Sequence, residues 1–110
     1  MSVAAIFVYM TFPDRASAEK IAKGLVEHRL AACANLLDGM ESIYRWKGAI
    51  QSDREVVLIA KTLKSEFESL REYVEKNHPY DCPCIIGLPI QQGNAAYLHW
   101  ISNSLSDREA

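Results

Sequence analysis

The most chemically capable side chains of this sequence lie close together in Cys82-Pro83-Cys84, with an imidazole just upstream at His78. Thiolates select Cu(I), zinc or iron–sulfur clusters, and imidazole suits copper and zinc, so the set suits a soft metal ion. The spacing is not that of a structural zinc site, which uses C-x2–4-C and two further ligands. In an extended segment the two thiols share one face but stand ~6.5 Å apart along it. An ordinary disulfide then requires the backbone to fold back. The competing reading is two thiols that only pack. Met10 adds a thioether, a suitable ligand for Cu(I) and a poor one for hard ions, or else a core filler. Cys33 opens a strand after the first helix, a setting in which free cysteine is commonly buried and inert.

Charged and aromatic side chains form a second set. Glu55 and Lys61 bracket the apolar run Val56-Val57-Leu58-Ile59-Ala60, an even number of residues apart, so both point to one face of a strand. Read from the residues alone, they are solvated strand-end charges. Tyr44 and Trp46 share one side of another strand and either cap their own sheet or face a partner. His28 falls on the polar side of a helix and His99 stands beside Trp100; neither is read as a ligand. No G-x-S-x-G, P-loop, G-x-G-x-x-G or C-x-x-C is present. The cysteines and histidines show no arrangement of nucleophile, base and orienting group, so no enzyme is expected.

These residues need elements to hold them. Residues 3–10 are apolar on both alternating faces, the pattern of a central strand covered on both sides. Asp14 reads as the N-cap of a helix whose buried stripe is Ile21, Ala22, Leu25 and Val26. Residues 32–37 read as a short strand ended by a turn at Asp38-Gly39. Residues 42–50 and 55–62 read as a long antiparallel hairpin joined by a polar turn over 51–54. Ser65-x-x-Glu68 is a capping box for a second helix, which ends by Asn77 because of Pro79. Residues 85–90 form a strand in which Pro89 indicates an edge or a bulge. Gly93-Asn94 opens a last helix with Leu98, Ile101 and Leu105 on one side. The order β-α-β-β-α-β plus a C-terminal helix predicts an α+β, ferredoxin-like split β-α-β fold with the helices on one face of a mostly antiparallel sheet.

Composition narrows the functional classes. With 110 residues, a hydrophobic fraction of 49% and a net charge of -2, the chain (1–110) reads as one domain with ample core. No Lys/Arg cluster offers a phosphate-backbone surface, so nucleic acid is not expected as a partner. No apolar run reaches the ~20 residues that span a bilayer, so no membrane partner is expected. An N-terminus without a basic stretch and an odd count of three cysteines predict a reducing, cytoplasmic setting.

The blocks Ala31-Ala32-Cys33-Ala34-Asn35-Leu36, Ser42-Ile43-Tyr44-Arg45-Trp46-Lys47-Gly48 and Glu55-Val56-Val57-Leu58-Ile59-Ala60-Lys61-Thr62 resemble the CutA family of divalent-cation-tolerance proteins. So do Thr11-Phe12-Pro13-Asp14, His78-Pro79-Tyr80-Asp81-Cys82-Pro83-Cys84-Ile85, Leu88-Pro89-Ile90 and Tyr97-Leu98-His99-Trp100-Ile101. The resemblance implies a PII-like homotrimer whose hairpins extend onto neighbouring subunits. It also implies an inter-subunit cleft lined by Cys33, Tyr44, Trp46, Glu55, Lys61 and Tyr80, where the lysine receives an anion and Glu55 a cation. The implied function is metal tolerance through binding of copper or another divalent or soft ion, with His78, Cys82, Cys84 and Met10 as candidate ligands. A PII-like regulatory module taking a small anionic ligand or a partner protein at the cleft is the alternative. The family pattern carries glutamate where this chain has Cys84, exchanging an oxygen ligand for sulfur.

Overall fold

The computed structural model describes residues 4–106. Strand β1 (Ala5–Phe12) is followed by helix α1 (Arg15–Glu27), the paired strands β2 (Cys33–Trp46) and β3 (Ala49–Leu63), helix α2 (Phe67–Asn77), strand β4 (Ile85–Pro89) and helix α3 (Ala95–Ser106). The strands form one sheet in the order β2-β3-β1-β4, every neighbouring pair antiparallel. This is the split β-α-β arrangement the element order predicts, with β4 at an edge as Pro89 requires. Val3, the expected start of β1, lies outside the described residues.

The α1 ends are set by local chemistry. Asp14 Oδ1 accepts from the Ser17 amide at 2.8 Å, the N-cap bond the sequence indicates. At the other end Arg29 takes φ 57, Arg29 N–H donates to Val26 O and Leu30 N–H donates to Leu25 O, which is a Schellman closure without glycine. The Arg29 side chain reaches the Ser104 carbonyl at 2.8 Å and so ties this left-handed residue to the end of α3.

One sheet face carries Ile6, Val8, Met10 and Phe12 with Val56, Leu58 and Ala60, packed under Ala18, Ile21 and Leu25 of α1 and Leu70 and Val74 of α2. Val26, expected in the α1 stripe, is exposed instead, at one rim of the buried arc, while Gly24 at the opposite rim is buried beside Tyr73. The second face departs from the expectation for β1. Phe7, Ile86 and Leu88 lie on it and are exposed, so β1 is covered by its own chain on one side only over this stretch. The helices are also not all on one face. α3 packs Ile101 and Leu98 against Ala5 and Leu63, and Tyr97 against Cys33, at one end of the second face.

Three local readings are corrected. The hairpin turns at Lys47-Gly48, both at positive φ (51 and 81), between paired Trp46 and Ala49. That is the two-residue connection whose backbone twist suits a hairpin. The polar residues 51–54 are strand, polar because that part of the ribbon has solvent on both faces. Asp38-Gly39 is a β-bulge within a single long β2, with Gly39 at φ 77 and the register shifting between Leu37 and Met40. Ser65 does not cap α2; a 3-10 turn over Lys64–Glu66 precedes the helix and no side chain caps its start.

Candidate functional site

The bulge determines which residues meet. Along β2, strict alternation places Cys33 and Tyr44 on opposite faces. The extra residue reverses the alternation, so Ser42, Tyr44 and Trp46 come to the same face as Cys33 and Asn35. On β3 that face carries Asp53, Glu55 and Lys61.

Glu55 is the centre of the first group. Its Oε1 accepts from Ser42 Oγ at 2.5 Å and its Oε2 from Tyr80 Oη at 2.6 Å. Beside it, the Tyr44 hydroxyl donates to Asp53 Oδ2. Tyr80 is delivered by the segment after α2, which His78 anchors. The His78 ring stacks on Phe12 with centroids 4.3 Å apart, its Nε2 lies 2.8 Å from Thr11 O, and its Nδ1 accepts from Tyr80 N–H at 3.1 Å. The Nδ1 contact needs a lone pair, so Nε2 carries the proton and donates to Thr11 O. Burial holds the imidazole below its ordinary range, which keeps it neutral. Burial and the Glu55 carboxylate together push the Tyr80 phenol and the Cys84 thiol upward, so both stay protonated near neutral pH. The hydrogen bond to Asp53 raises Tyr44 in the same way. The charge of this group is therefore that of its carboxylates.

The four candidate metal ligands are not brought together as a set within one chain. Met10 is fully buried on the helix-covered face. Both ring nitrogens of His78 are committed to the protein. Cys82 is exposed and Cys84 half-buried, both as free thiols. Among the described residues no three His, Cys, Asp or Glu side chains converge as a metal site.

A second group surrounds Lys61. It pairs across the sheet with Cys33 on one side and Phe7 on the other. Its ammonium lies 5.4 Å from the Tyr97 ring centroid and 6.0 Å from that of Phe7. Cys33 Sγ is 3.5 Å from Tyr97 Oη, and that contact, then burial, raises the Tyr97 phenol against the opposing pull of Lys61. Glu55 and Lys61 share a face as expected, but six positions of strand put them ~20 Å apart. Within one chain the expected cleft residues thus divide: Glu55, Tyr44 and Tyr80 in one group, Lys61 and Cys33 in another. Trp46 stands at the hairpin tip, exposed, with the Lys47 ammonium 5.9 Å from its ring.

Sequence reasoning missed Ser42, Asp53 and Tyr97. Ser42 and Asp53 are cross-strand partners, which a turn placed at Lys47-Gly48 would have revealed. No local signal marks Tyr97, whose role depends on α3 crossing to the second face.

The sequence profile of the CutA1 divalent ion tolerance proteins matches residues 6–104. The chain belongs to that family. A chloroplastic CutA protein of Arabidopsis thaliana is 48% identical over 103 residues, covering 94% of this chain and 57% of the plant protein. The chain therefore spans little more than half the length of that relative. A divalent-cation tolerance protein CutA of Thermus thermophilus is 48% identical over 94 residues, covering 86% of this chain and 91% of the bacterial protein. In three dimensions the crystal structure of CutA1 from Oryza sativa superposes with a TM-score of 0.92 at 43% identity, covering 99% of this chain and 98% of that one. The open antiparallel sheet with three helices is thus the CutA1 architecture. No helix among the described residues of this CutA1-family chain is long and apolar enough to cross a membrane.

Proposed function

We propose that this chain serves divalent-cation tolerance as a cytoplasmic homotrimer that binds a metal ion, copper or another divalent or soft cation, beside Glu55. The observation that carries this reading is the Glu55 carboxylate, oriented by Ser42 and Tyr80 in a group where Asp53 is a second carboxylate and His78, Tyr80 and Cys84 are held neutral. A soft cation supplies the energy to deprotonate a neighbouring thiol. Cys84 and Cys82 then act as sulfur ligands, and the remaining ligands come from water or a neighbouring subunit. Exposed Phe7, Ile86 and Leu88 on the second sheet face support assembly, since contiguous apolar surface marks interaction sites. Three free thiols suit a reducing compartment. Binding rather than catalysis fits His78, whose nitrogens are occupied and cannot serve as a general base.

The test is an anaerobic titration of reduced protein with Cu(I), Cu(II) and Zn(II) against a competing chelator. Wild type is compared with Glu55→Gln and with a Cys82→Ser/Cys84→Ser variant. Stoichiometric binding lost in the variants supports the reading; equal binding in all three proteins, no tighter than the chelator's, rejects it.

A second reading rests on Lys61. The residue is half-buried, its ammonium sits against two aromatic rings, and among the described residues no carboxylate lies within ion-pair distance of it. That setting suits a small anion in a regulatory role. A thermal-shift screen of nucleotides, carboxylates and phosphates tests it, because a ligand of the folded state raises Tm. Loss of any such shift in Lys61→Met ties it to this group.

A further inference from the structure

Cys82 and Cys84 differ in their surroundings although only Pro83 separates them. Cys82 is exposed and Cys84 half-buried. They lie in the stretch 78–84, which is neither helix nor strand and is fixed at both ends. At one end His78 is stacked on Phe12 and bonded to Thr11 O; at the other, β4 begins at Ile85. Between these anchors the backbone is lightly held. Among the described residues, no amide from Asp81 to Cys84 donates a turn or loop hydrogen bond. Pro83 has no amide proton to lose a bond from. Bringing the thiols together requires the middle of the segment to fold back, a movement that breaks neither secondary structure nor a turn or loop hydrogen bond donated by these amides. The Phe12–His78 and Tyr80–Glu55 contacts lie outside the stretch Asp81 to Cys84 that has to move.

We propose that Cys82 and Cys84 form a thiol–disulfide exchange site that takes low-molecular-weight disulfides, with Cys82 as the attacking thiol and Cys84 as the resolving one. The Cys82 thiolate attacks one sulfur of the small disulfide. A Cys82–small-thiol mixed disulfide forms and the other small thiol leaves with the electron pair. Cys84 gives up its proton to the released small thiolate or to water, and its sulfur attacks Cys82 Sγ, expelling the second small thiol and closing the Cys82–Cys84 bond. The protein loses two electrons and two protons, and the small disulfide gains them as two thiols. Exposure selects Cys82 for the first step, since a bulky disulfide needs an open path to the sulfur. A bridge across one residue is a strained ring, and strained disulfides are readily reduced. The bond is therefore reversible rather than a structural staple. Closure also removes both sulfurs as soft-metal ligands while leaving Glu55 in place. The inference does not rest on metal binding.

The test uses the reduced, assembled full chain in the presence of a metal chelator, with oxidised glutathione as the probe. Products are trapped by alkylation and read by intact mass and peptide mapping. Wild type is expected to lose two hydrogens within the peptide holding Cys82 and Cys84. Cys84→Ser is expected to stop at one glutathione on Cys82. Cys82→Ser is expected to react at least about tenfold more slowly than Cys84→Ser. Cys33→Ser should behave as wild type. The proposal is overturned if wild type accumulates the glutathione adduct without closing, if the two single variants react at equal rates, or if oxidation links Cys33 or two subunits instead. Because metal is absent throughout, these outcomes are separate from those of the metal titration.

Discussion

Replacing His78 by Phe isolates the imidazole's hydrogen bonds from its packing. The aromatic stack on Phe12, with centroids 4.3 Å apart, survives in a phenyl ring. The 2.8 Å bond to Thr11 O and the 3.1 Å bond from Tyr80 N–H do not. Each bond contributes about 1 kcal/mol net, so the variant is expected to lose about 2 kcal/mol. For a chain of this size that lowers Tm by roughly 10 °C. The imidazole also gives stability a pH dependence. Burial depresses its folded pKa below the ordinary 6.5, so the unfolded chain takes up a proton first as the pH falls. The contribution is fully present above pH 6.5 and declines below it, by no more than about 1.4 kcal/mol per pH unit, until the folded His78 itself protonates. The gap between wild type and His78→Phe should therefore be widest near pH 8 and narrow toward pH 5. Urea denaturation at one fixed protein concentration across that range measures it. A variant within about 0.5 kcal/mol of wild type, or a gap that does not change with pH, would refute the tautomer and its two bonds.

Three further outcomes follow from the packing. Met10 is fully buried, so Met10→Ala should cost about 3 kcal/mol, whereas Met10→Leu should leave both the denaturation midpoint and any copper affinity close to wild type. Gly48 sits at φ 81, so Gly48→Val should cost about 1–2 kcal/mol and broaden the NMR signals of the hairpin tip without disturbing those of the helices. A Cβ on Gly24 would lie 1.9 Å from Tyr73 Oη; Gly24→Ala should therefore lower Tm despite alanine's helix preference of about 1 kcal/mol, and Tyr73→Phe in the same chain should recover part of the loss.

What could be read from the sequence was whatever short-range chemistry decides. The Asp14 cap, the apolar core strand β1 and the end of α2 at Asn77 each follow from a few adjacent residues. The hairpin was legible as a hairpin, but its turn was not. A polar run at 51–54 looks like a loop when strands are assumed to be half-buried, and here the ribbon extends past the body of the sheet. The bulge at Asp38-Gly39 had the composition of a turn and the geometry of a strand, and tertiary pairing with β3 decided between them. At the candidate site, the Glu55 and Lys61 positions followed from strand alternation. The Tyr80–Glu55 bond joins residues 25 apart and needs the packed His78 segment. Tyr97 meets Cys33 only because α3 passes to the second face.

The hairpin reaches well beyond the helices, in a chain measuring 49 × 28 × 22 Å. Its outer part carries Ile43 and Ile50, 70% and 64% exposed, and Trp46, 59% exposed, whose ring meets only the Lys47 ammonium among the ring contacts of the described residues. A bare two-stranded ribbon is marginally stable in water. Its backbone amides should open at close to zero free energy, while those near Leu58 and Ala60, at the buried root of the same strands, open only when the whole chain unfolds. Amide hydrogen exchange along β2 and β3 is therefore a built-in gauge: slow exchange at the root reports folding, and slow exchange at the tip reports that something outside the chain has closed over it.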